Sequence, residues 1–143
     1  MRTLLVLTGI LIALVLASGV DAGTTPPKVV VHSSSYGRVL FDGRGFALYA
    51  FTRDRPRRSN CSGACAKAWP PYLVKRKPLA GTGAKSSLLG VVRRADGGLQ
   101  ATYAGRPLYY YVGDRKPRQI GCQGVFEFGG YWRVVRPSGK PIR

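Results

Sequence analysis

The chain carries one short pattern twice. Tyr-x-aromatic-x-x-Asp occurs at residues 49–54 and again at residues 109–114. The motif residues are Tyr49, Phe51, Asp54, Tyr109, Tyr111 and Asp114. Their neighbours recur at the same spacing, with Gly45, Leu48 and Arg55 matched by Gly105, Leu108 and Arg115. A pattern repeated within one chain indicates an internal duplication, so the fold must be one that two similar units can build together.

Both halves of the chain have the pattern of β-hairpins. In the first half, residues 36–41 and 46–51 are rich in β-branched and aromatic side chains and flank an Asp-Gly turn, which is typical of two antiparallel strands. The second half repeats this arrangement with one additional strand and ends in a hairpin over residues 124–135. We therefore expect an all-β or β-rich fold, in which two tandem β-hairpin repeats, about residues 34–75 and 88–137, pack as one small domain.

Two segments depart from the strand pattern. Residues near 60–69 are rich in Ala and poor in β-branched side chains, so they predict one short helix. Ser59 or Asn60 is expected to cap its start, and the Pro-Pro pair that follows stops it. Residues 75–87 are rich in Gly, Lys and Ser and predict a mobile linker between the repeats.

The motif has a structural interpretation and a functional one. On a strand, Tyr49 and Phe51 point to one face, which makes them core side chains of a duplicated β fold. Each Asp then falls at a strand end, where it fixes a turn and pairs with the adjacent Arg. Alternatively, the duplication brings Asp54 and Asp114 together as a paired-carboxylate site of the glycosidase type. The neighbouring arginines are expected to lower both carboxyl pKa values, the opposite of what a general acid needs, so we do not expect an enzyme.

The N-terminal segment predicts export. Arg2 precedes an apolar run over residues 4–16, and small residues follow it up to Ala22. This is the pattern of a cleavable signal peptide, here residues 1–22, and the run is shorter than a membrane-spanning helix requires. We expect a single exported domain, residues 23–143, periplasmic or extracellular, with no transmembrane span after cleavage. No Cys stands at the predicted cleavage site to carry a lipid anchor.

Three cysteines make one unpaired thiol unavoidable within a single chain. Cys61 and Cys65 are four positions apart, close enough to share one face of a helical turn and to form a disulfide. Loop closure favours this local pair, although pairing of Cys122 with either of them stays open. A free Cys122 in an oxidising compartment also leaves a Cys122-linked dimer open beside the expected monomer.

The chain is strongly basic. Its 23 Lys and Arg residues against 6 Asp and Glu give a formal net charge of +17, which bears on solubility and on the choice of partner. Part of this charge is clustered around the two motif aspartates, at Arg53, Arg55, Arg57, Arg58, Arg115, Lys116 and Arg118. These residues are candidates for binding an anionic envelope polymer or an anionic lipid surface. The sequence has no motif for sequence-specific nucleic-acid binding.

No cofactor is predicted. The chain has no zinc-type ligand spacing, no haem-attachment motif and no Ser or Cys nucleophile with a histidine placed to activate it. We therefore expect a non-enzymatic protein of the cell envelope or extracellular space that binds an anionic partner through its arginine clusters. The alternative is a periplasmic redox or metal-handling accessory protein that uses Cys61, Cys65, Cys122 and the tyrosine pairs.

The chain resembles a bacterial secreted-repeat family of predicted lipoproteins, which has a Tyr-x-(Phe/Trp/Tyr)-x-x-Asp signature. The resemblance rests on residues 48–54, 61–71, 96–97 and 105–114, and it covers about residues 34–135. It implies export and a tandem repeat, and the family has no established activity. The chain departs from the family in lacking the lipoprotein Cys and in carrying Cys122 within a Gly-rich segment.

The export signal makes a prediction about processing. We expect the mature N-terminus to be Gly23, because Val20 and Ala22 place small residues at both positions that signal peptidase reads. The intact mass of the exported protein measures this directly. A mass that retains residues 1–22, or one that includes acyl chains, would contradict the prediction.

Overall fold

A computed structural model describes residues 26–143; the predicted signal peptide lies outside the described residues. These residues form nine β-strands, one α-helix and one short 3-10 helix, so the expected β-rich fold is confirmed. The elements are β1 (Lys28–Ser34), β2 (Gly37–Asp42), β3 (Tyr49–Phe51), α1 (Ala64–Ala68), β4 (Leu79–Ala80), the 3-10 helix (Ser86–Leu88), β5 (Leu89–Arg93), β6 (Leu99–Tyr103), β7 (Arg106–Pro107), β8 (Val125–Glu127) and β9 (Gly130–Val134).

The strands form three small sheets, with orders β2-β1-β4, β3-β9-β8 and β5-β6-β7. Pairing is antiparallel except between β1 and β4. In the second sheet, β3 from the first repeat pairs with β9 from the second, Tyr49 lying opposite Val134. The repeats are therefore interlocked rather than placed side by side.

The two motifs meet directly at the centre of the molecule. Tyr49 and Tyr109 form an antiparallel bridge, in which each backbone N–H donates to the carbonyl of the other at 2.9 Å. On its other side, Tyr109 forms an antiparallel bridge with Pro71, just as Tyr49 pairs with Val134. The two repeats thus occupy equivalent positions about the Tyr49–Tyr109 pair.

This equivalence extends into the core as a stack of four aromatic rings. Trp69 and Trp132, each two residues before the partner of a motif tyrosine, stack at a centroid distance of 4.1 Å. Phe51 stacks on Trp132 at 4.1 Å, and Tyr111 lies against Trp69 at 4.7 Å. Each outer ring therefore packs on the tryptophan of the other repeat. Phe51 and both tryptophans are buried and Tyr111 is half-buried, so the expected core role applies less completely to Tyr111.

Two local expectations need correction. The helix begins at Ala64 with Gly63 at its N-cap and no side-chain cap, because Asn60 instead donates to Asp54 and to the Arg53 carbonyl. Residues 75–87 are not a free linker. Leu79 and Gly81 donate backbone hydrogen bonds to Pro27 and Val29, which ties the segment to β1.

Among residues 26–143, no helix has the length and apolar character needed to cross a membrane.

The aromatic stack predicts a sharp contrast between neighbouring residues on β9. Replacing Trp132, which is fully buried, by Ala should lower the free energy of unfolding by about 3–5 kcal/mol, because it empties the centre of the stack. Replacing Tyr131, whose side chain is exposed, should change it by about 0.5 kcal/mol or less. Urea unfolding of both variants measures the difference. Equal effects would show that the stack does not support the fold.

Candidate functional site

The signature residues bond across the two repeats. The Tyr49 hydroxyl donates to Oδ2 of Asp114 at 2.7 Å, and the Tyr109 hydroxyl donates to Oδ2 of Asp54 at 2.8 Å. The other oxygen of each carboxylate accepts a backbone N–H, from Asn60 for Asp54 and from Gly121 for Asp114. Each aspartate therefore fixes its own turn and holds the tyrosine of the other repeat.

The expectation that each Asp pairs with the adjacent arginines is wrong. Within residues 26–143 the ion pairs are Arg44–Asp42 and Arg94–Asp96, and neither involves a motif carboxylate. Burial raises the pKa of Asp54 to about 6, against the opposing effect of its hydrogen bonds from Asn60 and Tyr109. Burial also raises the pKa of Asp114. The arginines next to each Asp in sequence project into solvent, so they do not hold the carboxylate ionised.

The two carboxylates do not form a paired site. Because Tyr49 and Tyr109 pair in antiparallel fashion, the chain leaves them in opposite directions. Asp54 and Asp114, each five residues beyond its tyrosine, therefore lie towards opposite ends of the central strand pair. This topology does not favour the glycosidase-type arrangement, in which two carboxyl groups face one sugar bond.

Arg94, a buried arginine that the sequence did not single out, contacts the segment that follows the first motif. Arg94 is only 6% exposed and donates to the Cys61 carbonyl at 2.8 Å, and to Ser59 and Gln100 at 2.9 Å each. Ser59 in turn lies 2.7 Å from the Tyr109 hydroxyl. The Arg-Arg pair at residues 93–94 marks a charged surface in sequence terms. Only the turn geometry, with Asp96 paired to Arg94, reveals that one of the two points inward.

The cysteines follow the local pairing. Cys61 and Cys65 form a disulfide with their Cα atoms 5.3 Å apart, and Cys122 is free and half-buried. Since Asn60 and Gly121 donate to equivalent aspartates, Cys122 occupies the position in the second repeat that Cys61 occupies in the first. Hydrogen bonding to Cys122 raises the pKa of Tyr111. In the described part of the chain, no three His, Cys, Asp or Glu side chains converge as metal ligands.

The candidate anion-binding residues lie in and beside two turns that share part of their backbone hydrogen bonding. Pro56-Arg57 and Pro117-Arg118 occupy equivalent positions, and the N–H groups of the two arginines donate to the carbonyls of Gly105 and Gly45. All seven candidates, Arg53, Arg55, Arg57, Arg58, Arg115, Lys116 and Arg118, are exposed. Because the strands run in opposite directions, the two turns lie at opposite ends of the central strand pair and form two basic patches.

The arginines differ in how firmly they are held. Arg118 donates to the Ser33 carbonyl at 2.8 Å and lies 5.2 Å from the Phe41 ring centre. Arg53 makes a long contact of 3.5 Å with the Phe128 carbonyl. The side chains of the other five candidates make no hydrogen bond or ion pair within residues 26–143. These five are therefore free to meet a ligand.

A groove of about 1030 Å³ adjoins the motif centre, since Pro71, the bridge partner of Tyr109, is among its lining residues. Tyr72 and Tyr110 line it, with their ring centres 5.3 Å apart. Its other walls combine prolines with basic side chains, namely Pro26, Pro27, Pro70, Pro71, Lys28, Arg44, Lys75 and Arg76. Sequence reasoning missed this groove, because its residues come from four separate segments.

These features define a small β protein made of two interlocked repeats, which are joined by reciprocal Tyr–Asp hydrogen bonds. Residues 30–72 and 90–136, more than half of the chain, match a family described as a secreted repeat of unknown function. The chain belongs to this family, which agrees with the resemblance noted from the motifs and is consistent with export. No curated protein and no solved structure shows significant similarity to the chain.

The raised pKa of Asp54 predicts a pH dependence with a definite sign. Because the folded state favours the protonated carboxyl, stability contributed by Asp54 is lost as pH rises from about 4 through about 6. As the pH falls from 7 to 4, the free energy of unfolding of the wild type should rise by about 1 kcal/mol relative to that of Asp54→Asn, a value reduced to allow for partial exposure. Denaturant unfolding of both proteins across this range measures the difference.

Asp96→Asn is the matched control. A hydrogen bond from the Gly98 N–H lowers the pKa of Asp96, so its contribution should be lost as pH falls rather than gained. If the difference in free energy of unfolding between the wild type and Asp54→Asn does not change with pH, Asp54 is not a buried carboxyl with a raised pKa.

Proposed function

We propose that this protein is an exported, non-enzymatic binding module whose partner is an anionic polymer of the cell envelope or extracellular space. The partner would contact the two turns that carry Arg55, Arg57 and Arg58 in the first repeat and Arg115 and Lys116 in the second. The main observation behind the proposal is the backbone conformation of the turn arginines. A second observation supports it: the carboxylates are occupied by hydrogen bonds within the protein.

The carboxylates of the described residues are engaged in structure, so they leave the basic turns uncompensated. Asp42, Asp54, Asp96, Asp114 and Glu127 each accept hydrogen bonds from backbone or side-chain groups of the protein. Two of them pair with an arginine, and neither arginine belongs to the turns. An unneutralised cluster on an exposed turn attracts polyanions and releases their counterions on binding.

The backbone of the turns supports a role for arginine itself. Arg57 and Arg118 have φ values of 56° and 69°, in the left-handed region that costs about 1–2 kcal/mol for a residue with a side chain and is free of this cost for Gly. Each follows a proline, at the turn position where Gly is favoured. Arg118 uses its guanidinium on the Ser33 carbonyl, but that of Arg57 makes no hydrogen bond or ion pair within residues 26–143. At Arg57, an arginine where glycine would fit better therefore favours a function of the guanidinium over a structural one.

A non-enzymatic role agrees with the occupation of the motif. Both oxygens of Asp54 and both of Asp114 accept hydrogen bonds from the protein. Burial and the nearby carboxylates raise the pKa values of Tyr49 and Tyr109, so these hydroxyls remain neutral donors. The polar groups of the motif are therefore directed at each other rather than at a substrate.

The proposal predicts that turn substitutions separate binding from stability. In the triple variant Arg55→Ser, Arg57→Gly, Arg58→Ser, melting should be unchanged or slightly higher, because glycine relieves the strained position. Its affinity for inorganic polyphosphate should fall at least tenfold at about 0.1 M salt, and the salt dependence of binding should flatten as phosphate contacts are lost. Salt-titrated binding curves and thermal melts measure both effects.

Two controls separate a turn site from general charge. The variant Lys67→Ser, Lys140→Ser, Arg143→Ser removes the same number of exposed cations elsewhere, and its affinity should fall far less. Ala104→Gly relieves a comparable positive φ of 50° without a change of charge, and its binding should equal that of the wild type. If the two triple variants lose affinity equally, the turns are not the site and the proposal is wrong.

A further inference from the structure

The groove beside Tyr72 and Tyr110 contains an arginine fixed in place by a buried carboxylate. Asp42 is 2% exposed and accepts hydrogen bonds from the backbone N–H groups of Arg44 and Phe46, and from the Tyr110 hydroxyl at 3.0 Å. It also accepts Nε–H of Arg44 at 3.0 Å. The carboxylate therefore holds the groove-side tyrosine and the arginine in one rigid unit.

Arg44 itself remains available to a ligand. Its side chain is 71% exposed, and its terminal nitrogens make no hydrogen bond to any residue in 26–143. The guanidinium carbon lies 5.3 Å from the Phe46 ring centre and 5.9 Å from that of Tyr110, distances at which a cation is attracted to an aromatic ring. A guanidinium held at Nε with its two end nitrogens free suits two parallel bonds to a carboxylate or similar anion.

The walls of the groove restrict what the anion can be attached to. Four lining residues, Pro26, Pro27, Pro70 and Pro71, are prolines, which have no N–H to offer. A peptide that binds by extending a sheet needs a row of such donors, so this wall is poorly suited to it. Proline rings and the Tyr72 and Tyr110 rings offer flat apolar faces instead, which suit stacking against the faces of sugar rings.

Size and charge agree with a chain of acidic sugars. A volume of about 1030 Å³ lies at the upper end of ligand clefts, which span about 300–1,000 Å³. Lys28, Arg44, Lys75 and Arg76 line the groove with positive charge, and the single carboxylate among the lining residues, Asp42, is already paired with Arg44. A groove of this shape also suits an extended chain better than a flat lipid surface.

We infer that this groove binds an acidic polysaccharide, with sugar rings against Tyr72, Tyr110 and the prolines and a sugar carboxylate on Arg44. The inference deepens the proposed function, since it names the chemistry of the anionic partner, and it adds a site separate from the basic turns. Lys75 and Arg76, both exposed, would contact further carboxylates along the chain.

The test uses an oligomer of galacturonic acid and its methyl-esterified form, which keeps the rings and removes the charges. Calorimetric titration should show binding of the acid and at least tenfold weaker binding of the ester. Arg44→Lys and the double variant Lys75→Ser, Arg76→Ser should each weaken binding of the acid at least tenfold. The control Lys67→Ser, Lys140→Ser, which removes two exposed cations outside the groove, should weaken it less than threefold.

Thermal melts of the variants would show whether each one folds. The double variant keeps the test decisive if Arg44→Lys disturbs the buried Asp42, since Lys75 and Arg76 make no contact with that carboxylate. The inference is overturned if the wild type does not bind the acid, if the ester binds equally well, or if the groove variants bind like the control. Equal binding of oligoglutamate with the same dependence on Arg44 would make this a site for acidic peptides and would also overturn it.

Polyphosphate distinguishes failure of this inference from failure of the proposed function. It carries charge without rings, so its affinity should depend on the Arg55, Arg57 and Arg58 turn more than on the groove. Loss of polyphosphate binding in the turn variant, together with no effect of the groove variants on the acidic sugar, would retain the proposed function and reject the groove. No binding of either polymer by the wild type would reject both.

Discussion

The structure depends on a reciprocal contact between two copies of the same motif. Tyr49 and Tyr109 exchange backbone hydrogen bonds at the centre, and each hydroxyl then reaches the aspartate that ends the motif of the other repeat. A repeat on its own would leave its tyrosine without the acceptor and its aspartate without the donor. Because an unpaired buried polar group costs about 1–3 kcal/mol, each copy is satisfied only by the other. The Tyr and Asp of the signature therefore join the two repeats to each other.

The same contact shows how specificity and stability diverge. Burial raises the pKa of Asp54 to about 6 and that of Asp114 as well, so holding both carboxylates ionised at neutral pH costs free energy. Apolar residues of similar volume would avoid this cost, but they would not select one register. The Trp69–Trp132 stack at 4.1 Å supplies much of the apolar burial. The polar contacts then determine which strand lies beside which, because only one register places each hydroxyl on a carboxylate.

Sequence patterns predicted the local features well and the pairing between repeats poorly. The β-rich fold, the two repeats, the short helix and the Cys61–Cys65 disulfide depend on local composition and spacing, and the structure contains them. Which copy contacts which Asp depends on strand pairing over about sixty residues, and a duplicated pattern fits either choice. The adjacent arginines suggested ion pairs with Asp54, yet the turn directs them outward. Arg94 shows the converse, since a charged residue in an ordinary turn is only 6% exposed.

The duplication also bears on the size of the partner. An antiparallel pairing of equivalent repeats places the two basic turns at opposite ends of the central strand pair, so under the proposed function a small anion would contact one turn at a time. A polymer long enough to reach both gains from a second contact made at high effective concentration, without any new residue. The groove has no such counterpart, because Asp42-Gly43-Arg44 occurs in the first repeat alone. Under the proposed function, two similar charged turns and one groove would suit an extended anionic chain better than a free ion.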